Sequence, residues 1–323
     1  MKRVLILGGT MFVGRALVER LKTNPEYDLT LFNRGKSNID LFADVKQIHG
    51  NRESEEVQKI CTQHWDCVID FSGYYPLTFE KLLEGLKGKV GRYIFISTIS
   101  VYDLSKFMSR PIVEDDEILQ CSEAQKTSKL PDAYGEKKAE MERILLKQGW
   151  LDKIIFRPSF IYGKFDWTER FYYWLYRVKF RDKILMPRGT FNLSLTNADD
   201  LTEALLQAID ISQHQTIYHA VSQPKMTLRN LISIAATALN KQVDIQSNDF
   251  EKHGVKQSDF PLFVPQNFEV SNDRWNKDFP FKRADFAATL IETLEHKAKE
   301  GSPKPKAGLD FEKEQQILKQ IQD

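Results

Sequence analysis

The stretch MKRVLILGGTMFVGRALVERLK, residues 1–22, decides the fold of this chain. Val4–Leu7 is a short apolar run that predicts a buried strand, and Phe12–Lys22 has the apolar spacing of a helix. The glycine-rich turn Gly8–Gly14 joins them. Because the free N–H groups at a helix N-terminus attract phosphate, this order favours a dinucleotide-binding loop over a plain strand-to-helix turn.

The glycines of this turn have separate tasks. Gly8 permits the tight turn after the strand, Gly9 adds backbone freedom, and Gly14 lets the helix pack closely on the strand. Met11 stands where a third glycine is expected, so binding depends on whether its side chain points away from the phosphates. Thr10 is a candidate cap for the helix. The backbone expected to meet a pyrophosphate is that of Thr10, Met11, Phe12 and Val13.

The rest of the first half alternates short apolar runs with amphipathic segments. Strict alternation predicts an α/β fold of the Rossmann type, a doubly wound parallel sheet with helices on both faces. The predicted strands are Asp28–Phe32, Val45–Ile48, Cys67–Phe71, Tyr93–Ser97 and Lys153–Phe156. The predicted helices are Glu53–Thr62, Leu77–Leu86 and Ala133–Lys147.

After about Gly163 the pattern loosens, which predicts a smaller, mixed C-terminal substrate-binding domain. We predict a dinucleotide-binding domain over residues 1–163, to which 191–212 returns, and a substrate-binding region over 164–190 and 213–300. Residues 301–323 are predicted to be a linker and a C-terminal tail, helical or frayed at its end. Further predicted elements are helices at Ala198–Ile209, Leu228–Leu239 and Ala284–Lys299 and a strand at Thr216–Ala220.

The composition excludes several classes of protein. The chain has 46 Lys and Arg residues and 45 Asp and Glu residues, a net charge of +1. This balance does not indicate binding to nucleic acid or to an anionic membrane. The three cysteines have no metal-binding or redox spacing. No apolar run reaches the roughly 20 residues that span a bilayer, and no signal peptide precedes the first strand. We therefore expect a cytoplasmic protein without a metal centre.

The end of the second predicted strand suggests which dinucleotide binds. An acidic residue there normally holds the ribose 2′-hydroxyl of NAD, but this chain has Asn33 and Arg34, followed by Lys36. Because a guanidinium can bind a 2′-phosphate that a carboxylate would repel, we predict NADP over NAD. The alternative is that both cations are solvated turn residues.

A candidate catalytic pair lies in the predicted helix Ala133–Lys147. Tyr134 and Lys138 are four residues apart and therefore share one face of the helix. An ammonium near a phenol lowers the phenol pKa from about 10, which suits proton transfer near neutral pH. Thr98 follows a parallel strand, at the edge where such sheets bind ligands. The alternative for the pair alone is a surface contact on an amphipathic helix.

Together these motifs resemble the short-chain dehydrogenase/reductase superfamily, in its extended or atypical branch of NAD-dependent epimerases and dehydratases. The motifs that carry the resemblance are GGTMFVG (8–14), CVIDFSGYY (67–75), STISVY (97–102), Tyr134-x-x-x-Lys138, RPSFIYG (157–163) and, more weakly, FNLSLTNADDL (191–201). The resemblance implies that Tyr134 is the general acid/base. It also implies that Lys138 lowers the Tyr134 pKa and binds the nicotinamide ribose, and that Thr98 hydrogen-bonds the reacting oxygen. Further cofactor-lining residues that it implies are Ser72, Gly73, Pro158, Ser159, Phe160 and Ile161.

The resemblance also implies a reaction and a partner. Hydride transfer at a carbinol or carbonyl carbon of a sugar-like or other small substrate is expected, by an oxidoreductase or an epimerase. Ile99 and Ser100 follow Thr98 where dehydratases of the family carry an acidic pair, which disfavours 4,6-dehydration. The helices Leu77–Leu86 and Ala133–Lys147 are candidates for a homodimer interface. A non-catalytic NADP sensor and an RNA-binding relative are the alternatives.

Two further departures from the family concern single residues. Asn51 stands where an Asp often contacts adenine, and Lys164 where a Pro often follows the Tyr-Gly pair.

The substrate side is expected in the aromatic and basic segment after residue 163. One interpretation is a pocket for a nucleotide sugar or another anionic substrate; the other is a packing face with solvated arginines. The residues concerned are Trp167, Phe171, Tyr172, Trp174, Tyr176, Arg177, Arg181 and Arg188.

Overall fold

A parallel sheet forms the centre of the molecule. The computed structural model describes residues 1–189, 191–248 and 250–322. Within them the strands are β1 (Lys2–Leu7), β2 (Tyr27–Asn33), β3 (Lys46–His49), β4 (Trp65–Asp70), β5 (Val90–Ile96), β6 (Asp152–Pro158), β7 (Phe160–Tyr162), β8 (Lys183–Pro187), β9 (Leu193–Asn197), β10 (Ile217–Ala220), β11 (Gln223–Met226) and β12 (Asp244–Asn248). Seven of them pair in the order β10-β6-β5-β4-β1-β2-β3, all parallel.

Helices cover both faces of this sheet. In the same residues the α-helices are α1 (Phe12–Leu21), α2 (Pro76–Leu86), α3 (Glu123–Thr127), α4 (Tyr134–Leu146), α5 (Arg170–Phe180), α6 (Ala198–Asp210), α7 (Leu228–Ala238), α8 (Asp273–Asp278), α9 (Phe286–Lys299) and α10 (Phe311–Gln322). Side chains alternate along β1, so Ile6 packs with α1 and α6 on one face, and Leu5 packs with α2 on the other. The predicted doubly wound Rossmann-type sheet is confirmed.

A second, smaller core lies beyond the carboxyl ends of the central strands. It joins α5, α7, α9 and α10 to a mixed sheet of order β11-β9-β7 and to the parallel pair β12-β8. The tail that was predicted as helical or frayed forms α10 in the described residues. The domain boundaries themselves stay a prediction, and Thr190 and Asp323, which end two of the predicted ranges, lie outside the described residues.

Several local expectations differ from the structure. The segment predicted as a helix at Glu53–Thr62 forms a 3₁₀ helix at Glu55–Ile60. The cap of α1 is Met11 in an extended conformation, and Thr10 does not cap the helix. No helix of the described chain is long and apolar enough to cross a membrane.

Candidate active site

A cleft of about 660 Å³ opens at the carboxyl ends of β1, β2, β4, β5 and β6. In an open parallel sheet this is the edge where ligands bind, at the point where the strand order reverses. The reversal lies between β1 and β4. From β1 the sheet continues through β2 and β3 on one side, and through β4, β5 and β6 on the other. The glycine turn and the Tyr134-x-x-x-Lys138 helix both line this cleft.

The glycine turn forms one end of the cleft. Gly8 and Gly9 have φ values of 105° and 94°, which side chains rarely adopt. A Cβ on Gly14 would lie 3.0 Å from the Cα of Gly9, so the absence of a side chain at Gly14 lets α1 pack closely against the turn. Met11 is 40% exposed and gives α1 no side-chain cap, which leaves the N-terminal amides of α1 for a ligand.

The loop after β2 is built around amide side chains. The Oδ1 of Asn33 accepts a hydrogen bond from the Gly35 amide at 2.8 Å, which forms the turn that presents Arg34 and Lys36. Both cations are exposed, line the cleft and have no carboxylate within ion-pair distance in the described chain. The Nδ2 of Asn38 donates to the carbonyl of Thr10 at 2.7 Å and so joins this loop to the glycine turn.

A buried ion pair that the sequence did not suggest lies under the middle of the cleft. The Arg52 Nη1 and Nη2 donate to the two Asp70 oxygens at 2.7 and 3.1 Å, and Nη1 also donates to the Ser72 hydroxyl at 2.9 Å. Asp70 is fully buried and also accepts from the Tyr93 hydroxyl at 2.7 Å. Burial alone would raise the pKa of Asp70, but the Arg52 guanidinium holds it below its usual value.

The three predicted catalytic residues converge on the cleft. Thr98 follows β5, and its hydroxyl accepts from the Ser100 amide at 3.1 Å. Tyr134 is the first residue of α4 and is 43% exposed. Lys138, one turn further, is 2% exposed, and its Nζ donates to the Ile96 carbonyl at 2.7 Å.

Glycine is required between Tyr134 and Lys138. A Cβ on Gly135 would lie 2.0 Å from the Ser100 carbonyl oxygen, so the start of α4 meets the segment after β5 at backbone contact. Ala133, which precedes the helix, has a left-handed conformation with φ 48°. These two residues fix where Tyr134 enters the cleft relative to Thr98.

The electrostatics differ from the sequence expectation. Desolvation of its hydroxyl raises the pKa of Tyr134 to about 12, and Tyr74 adds to the rise; a hydrogen bond with Thr98 and the charge of Arg170 act in the opposite direction. The predicted lowering of the Tyr134 pKa by Lys138 is not found. The reason is that burial lowers the pKa of Lys138 to about 8, so its ammonium has lost its proton before the Tyr134 hydroxyl ionises.

Lys138 itself is perturbed by its surroundings. Burial lowers its pKa to about 8, although the nearby Asp70 and Glu142 carboxylates favour the charged form. Glu142 is fully buried one turn along α4 and accepts from the Arg157 Nε at 3.0 Å and from the Ser97 hydroxyl. Lys138 therefore lies between two buried arginine–carboxylate pairs.

The opposite end of the cleft is formed by the segment before α5. Trp167 is 66% exposed and lines the cleft with Thr168 and Arg170. The Arg170 Nε donates to the Thr168 hydroxyl at 3.2 Å, and Arg170 makes no ion pair in the part of the chain that the structure describes. The guanidinium faces Tyr134 closely enough to affect the Tyr134 pKa.

The other aromatic and basic residues of this segment do not line the cleft. Phe171, Tyr172, Trp174 and Tyr176 are buried in the second core, so the packing interpretation is correct for them. The pocket interpretation is wrong for three arginines: Arg177 is buried in an ion pair with Glu314, Arg181 lies 3.5 Å from the centre of the Phe311 ring, and Arg188 is exposed outside the cleft.

Most predicted cofactor-lining residues do meet at the cleft, with one exception. The exception is Gly73, where a Cβ would lie 2.8 Å from Phe95, so it packs behind the cleft wall. The cleft-lining residues that the sequence reasoning missed include Arg52, Tyr74, Tyr75, Thr168 and Arg170. The predicted residues that line the cleft are Gly8, Gly9, Thr10, Met11, Phe12, Val13, Gly14, Asn33, Arg34, Lys36, Ser72, Thr98, Tyr134, Lys138, Pro158, Ser159, Phe160 and Ile161.

Comparison with known families agrees with this geometry. The model of the NAD-dependent epimerase/dehydratase family matches residues 4–220. The chain belongs to this family. The matched region runs from β1 to β10 and contains the glycine turn, Thr98, Tyr134 and Lys138. A search of curated proteins finds no match.

Solved structures of similar shape include other enzymes of the epimerase/dehydratase type. UDP-glucuronic acid 4-epimerase from Bacillus cereus, in complex with NAD, has a TM-score of 0.71 at 15% identity over 92% of this chain and 99% of its own. dTDP-glucose 4,6-dehydratase from Bacillus anthracis, in complex with NAD, has a TM-score of 0.72 at 16% identity over 94% of this chain and 98% of its own. UDP-N-acetylglucosamine 4-epimerase from Methanobrevibacter ruminantium has a TM-score of 0.70 at 18% identity over 93% of this chain and 99% of its own. At these sequence identities, the similarity shows that this chain shares their fold.

The site of this epimerase/dehydratase family member fits a nicotinamide dinucleotide. The turn Gly8–Gly14 offers a cradle that a Cβ at Gly14 would close, and the uncapped start of α1 points phosphate-binding amides at it. Arg34 and Lys36 follow β2, Tyr134 and Lys138 lie on α4, and all four line the cleft. A cofactor of the NAD(P) type therefore matches the donors present.

Proposed function

We propose that this chain is an NADP-preferring oxidoreductase or epimerase that acts at a carbinol or carbonyl carbon of a sugar-like substrate, with nucleotide sugars as the leading class. One observation carries the proposal. Thr98, Tyr134 and Lys138 line the same cleft as an intact glycine turn, and a mere nucleotide sensor has no need of the acid/base set.

Tyr134 is proposed to move the proton. With a pKa near 12 its phenol is protonated at neutral pH and can donate a proton to a carbonyl oxygen. The Thr98 hydroxyl, which interacts with Tyr134, would orient the same oxygen. The nicotinamide, when bound, supplies the hydride exchange at the carbon. Lys138, one turn along α4 from Tyr134, would place its ammonium beside the nicotinamide ribose below pH about 8.

The cleft has few acidic side chains that could catalyse the elimination of water. Glu53 is the one carboxylate among the described residues that line it, and the Glu53 oxygen accepts from Thr78. Ile99 is buried and Ser100 carries only a hydroxyl, so the position after Thr98 provides no acid. This supports oxidation, reduction or epimerisation over 4,6-dehydration.

The preference for NADP is supported by Arg34 and Lys36, which are exposed and free of carboxylates at the end of β2. Calorimetric titration with NADP⁺ and NAD⁺ tests it. Replacing either cation by Ala should weaken NADP⁺ binding about fivefold, roughly 1 kcal/mol at an exposed site, and leave NAD⁺ binding unchanged. Lys46→Ala, an exposed lysine of β3 outside the cleft, is the matched control. Equal affinity for both dinucleotides in the unaltered protein would refute the preference.

The reaction is tested by turnover. The protein with NADP⁺ or NADPH is incubated with UDP-glucose, UDP-glucuronic acid, dTDP-glucose and simple carbonyls, and products and NADPH absorbance are followed. Stoichiometric NADPH consumption indicates a reductase; an epimer formed on retained cofactor indicates an epimerase. Tight NADP binding without turnover of any compound would instead support the sensor alternative.

The homodimer stays a prediction. Its candidate helices are α2 and α4, against both of which α3 packs in the structure. Sedimentation of the full chain would decide whether a second copy also binds there.

A further inference from the structure

The C-terminal segment beyond the family match is bound to α5, the helix that begins at the cleft. We call residues 303–318 the C-terminal strap. Arg177 of α5 is 1% exposed; its Nε donates to the Glu314 Oε2 at 2.6 Å and its Nη2 to the Leu309 carbonyl at 2.6 Å. Glu314 is fully buried, and its Oε1 accepts from the Leu185 amide at 3.1 Å. The strap thus fixes the far half of α5 by buried, charge-assisted bonds.

The strap also holds the near end of α5. Glu169, directly before the helix, has a left-handed conformation with φ 56°. Its Oε2 accepts from the Lys306 amide at 2.8 Å, and its Oε1 from the Lys297 Nζ of α9 at 3.1 Å. The Tyr172 hydroxyl donates to the Pro303 carbonyl at 3.0 Å. Bonds from outside the segment therefore stabilise a backbone conformation that Glu169 does not favour by itself.

Between these contacts lies the substrate end of the cleft. Trp167, Thr168 and Arg170 line it, within one turn of Glu169. Phe165, four residues before Glu169, also has positive φ, at 66°. The run from 163 to 170 is not a regular element until α5 begins, so its shape depends on what it is bound to.

We infer that the C-terminal strap is a positioning element for the substrate, which holds Trp167, Thr168 and Arg170 at the cleft through Glu169 and Arg177. This inference rests on the proposed function for the identity of that end as the substrate end. It assigns to the strap an effect on substrate binding and no direct effect on the dinucleotide, because no hydrogen bond of the described chain joins the turn Gly8–Gly14 to residues 303–318. The contact of the segment 163–170 with α1, where the Arg15 guanidinium lies 3.8 Å from the centre of the Phe165 ring, comes after that turn.

Two variants of the full chain release the two attachments. Glu314→Gln weakens the bonds to Arg177. Glu169→Ala removes the acceptor of the Lys306 amide together with the ion pair to Lys297 of α9, and Lys297→Met removes that ion pair but keeps the acceptor of the Lys306 amide. Glu312→Gln is the matched control, since Glu312 lies two residues from Glu314 on α10 but is 71% exposed and pairs only with the exposed Lys304 in the described structure. Hydrogen–deuterium exchange is measured for residues 163–170 and for the glycine turn, together with NADP⁺ affinity.

Both releasing variants should raise exchange in 163–170 about tenfold, as expected when roughly one charge-assisted bond is lost, with the glycine turn and NADP⁺ affinity unchanged. Glu312→Gln should match the unaltered protein. Unchanged exchange in both variants would overturn the inference, and so would an equal rise at 163–170 and the glycine turn, which marks general destabilisation. If Glu314→Gln does not fold, a larger rise in Glu169→Ala than in Lys297→Met supports the strap, and an equal rise overturns the inference.

The exchange measurement needs no turnover, so it can fail independently of the proposed function. With a nucleotide sugar that the protein turns over, the variants should raise KM about tenfold and change kcat less than twofold, a split that loss of folded protein would not produce. An unchanged KM would contradict the inference even if the enzyme is active.

Discussion

The close approach of α4 to the segment after β5 makes a quantitative prediction for Gly135→Ala. The added Cβ would lie 2.0 Å from the Ser100 carbonyl oxygen, whereas ordinary van der Waals contacts begin at 3.4 Å. The two backbones must therefore separate by up to 1.4 Å, the difference between these values. The obstacle is backbone on both sides, so no side-chain rotation can relieve it.

The separation would move Tyr134, which precedes Gly135, away from Thr98, which precedes Ile99 and Ser100. A misplacement of about 1 Å in catalytic geometry reduces rate roughly a hundredfold. We therefore expect Gly135→Ala to lower kcat about a hundredfold. The affinity for NADP⁺ should change little, because the proposed phosphate cradle, Gly8–Gly14, lies on a different element from α4.

The assay compares kcat, NADP⁺ affinity by calorimetry and the midpoint of thermal unfolding for the variant and a control. Gly149→Ala is the control, because a Cβ at Gly149 meets no atom within 4 Å and the residue lies just beyond the same helix. If Gly135→Ala retains kcat within twofold of the unaltered enzyme, the proposed role of this contact in placing Tyr134 is refuted.

Three further outcomes are expected. Tyr134→Phe should lower kcat by about a hundredfold or more and keep the NADP⁺ affinity within twofold, as measured by steady-state kinetics and calorimetry; substantial residual turnover would exclude Tyr134 as the acid. Gly14→Ala should weaken NADP⁺ binding about tenfold in calorimetry while circular dichroism stays native, because its Cβ would meet the Gly9 backbone at 3.0 Å and displace the turn; unchanged affinity in a folded variant would contradict the cradle. Burial lowers the Lys138 pKa to about 8, so the ammonium loses its proton as pH rises through that value. A plot of kcat/KM against pH should therefore fall above pH ~8, and the residual activity of Lys138→Met should lack that limb; a limb that persists would belong to another group.

The fold and part of the site follow from local sequence patterns. The buried strands around Val4–Leu7 and the spacing of Tyr134 and Lys138 are set by residues close together in the chain, and both were predictable. The Arg52–Asp70 pair was not, because its members are 18 residues apart and meet only through the order of the central strands.

The basic segment after residue 163 shows a different limit. Arg170 and Arg177 lie two turns apart on one amphipathic helix, and nothing in the local pattern separates their roles. Arg177 is buried because Glu314, 137 residues later, covers it, while Arg170 faces the cleft. The electrostatic expectation for Tyr134 failed for a similar reason, since the tertiary packing that buries Lys138 against β5 and lowers its pKa is not visible in the local spacing of the two residues.

The bond from Asn38 to the Thr10 carbonyl has a consequence for ligand binding. It ties the loop that carries Arg34 and Lys36 to the turn Gly8–Gly14, the proposed site of the pyrophosphate. Ordering one loop then lowers the entropy lost in ordering the other, so binding of the adenosine ribose and binding of the adjacent pyrophosphate would be thermodynamically linked. A fragment such as 2′-phospho-AMP and a separate pyrophosphate should each bind more tightly in the presence of the other, and Asn38→Ala should make their affinities independent.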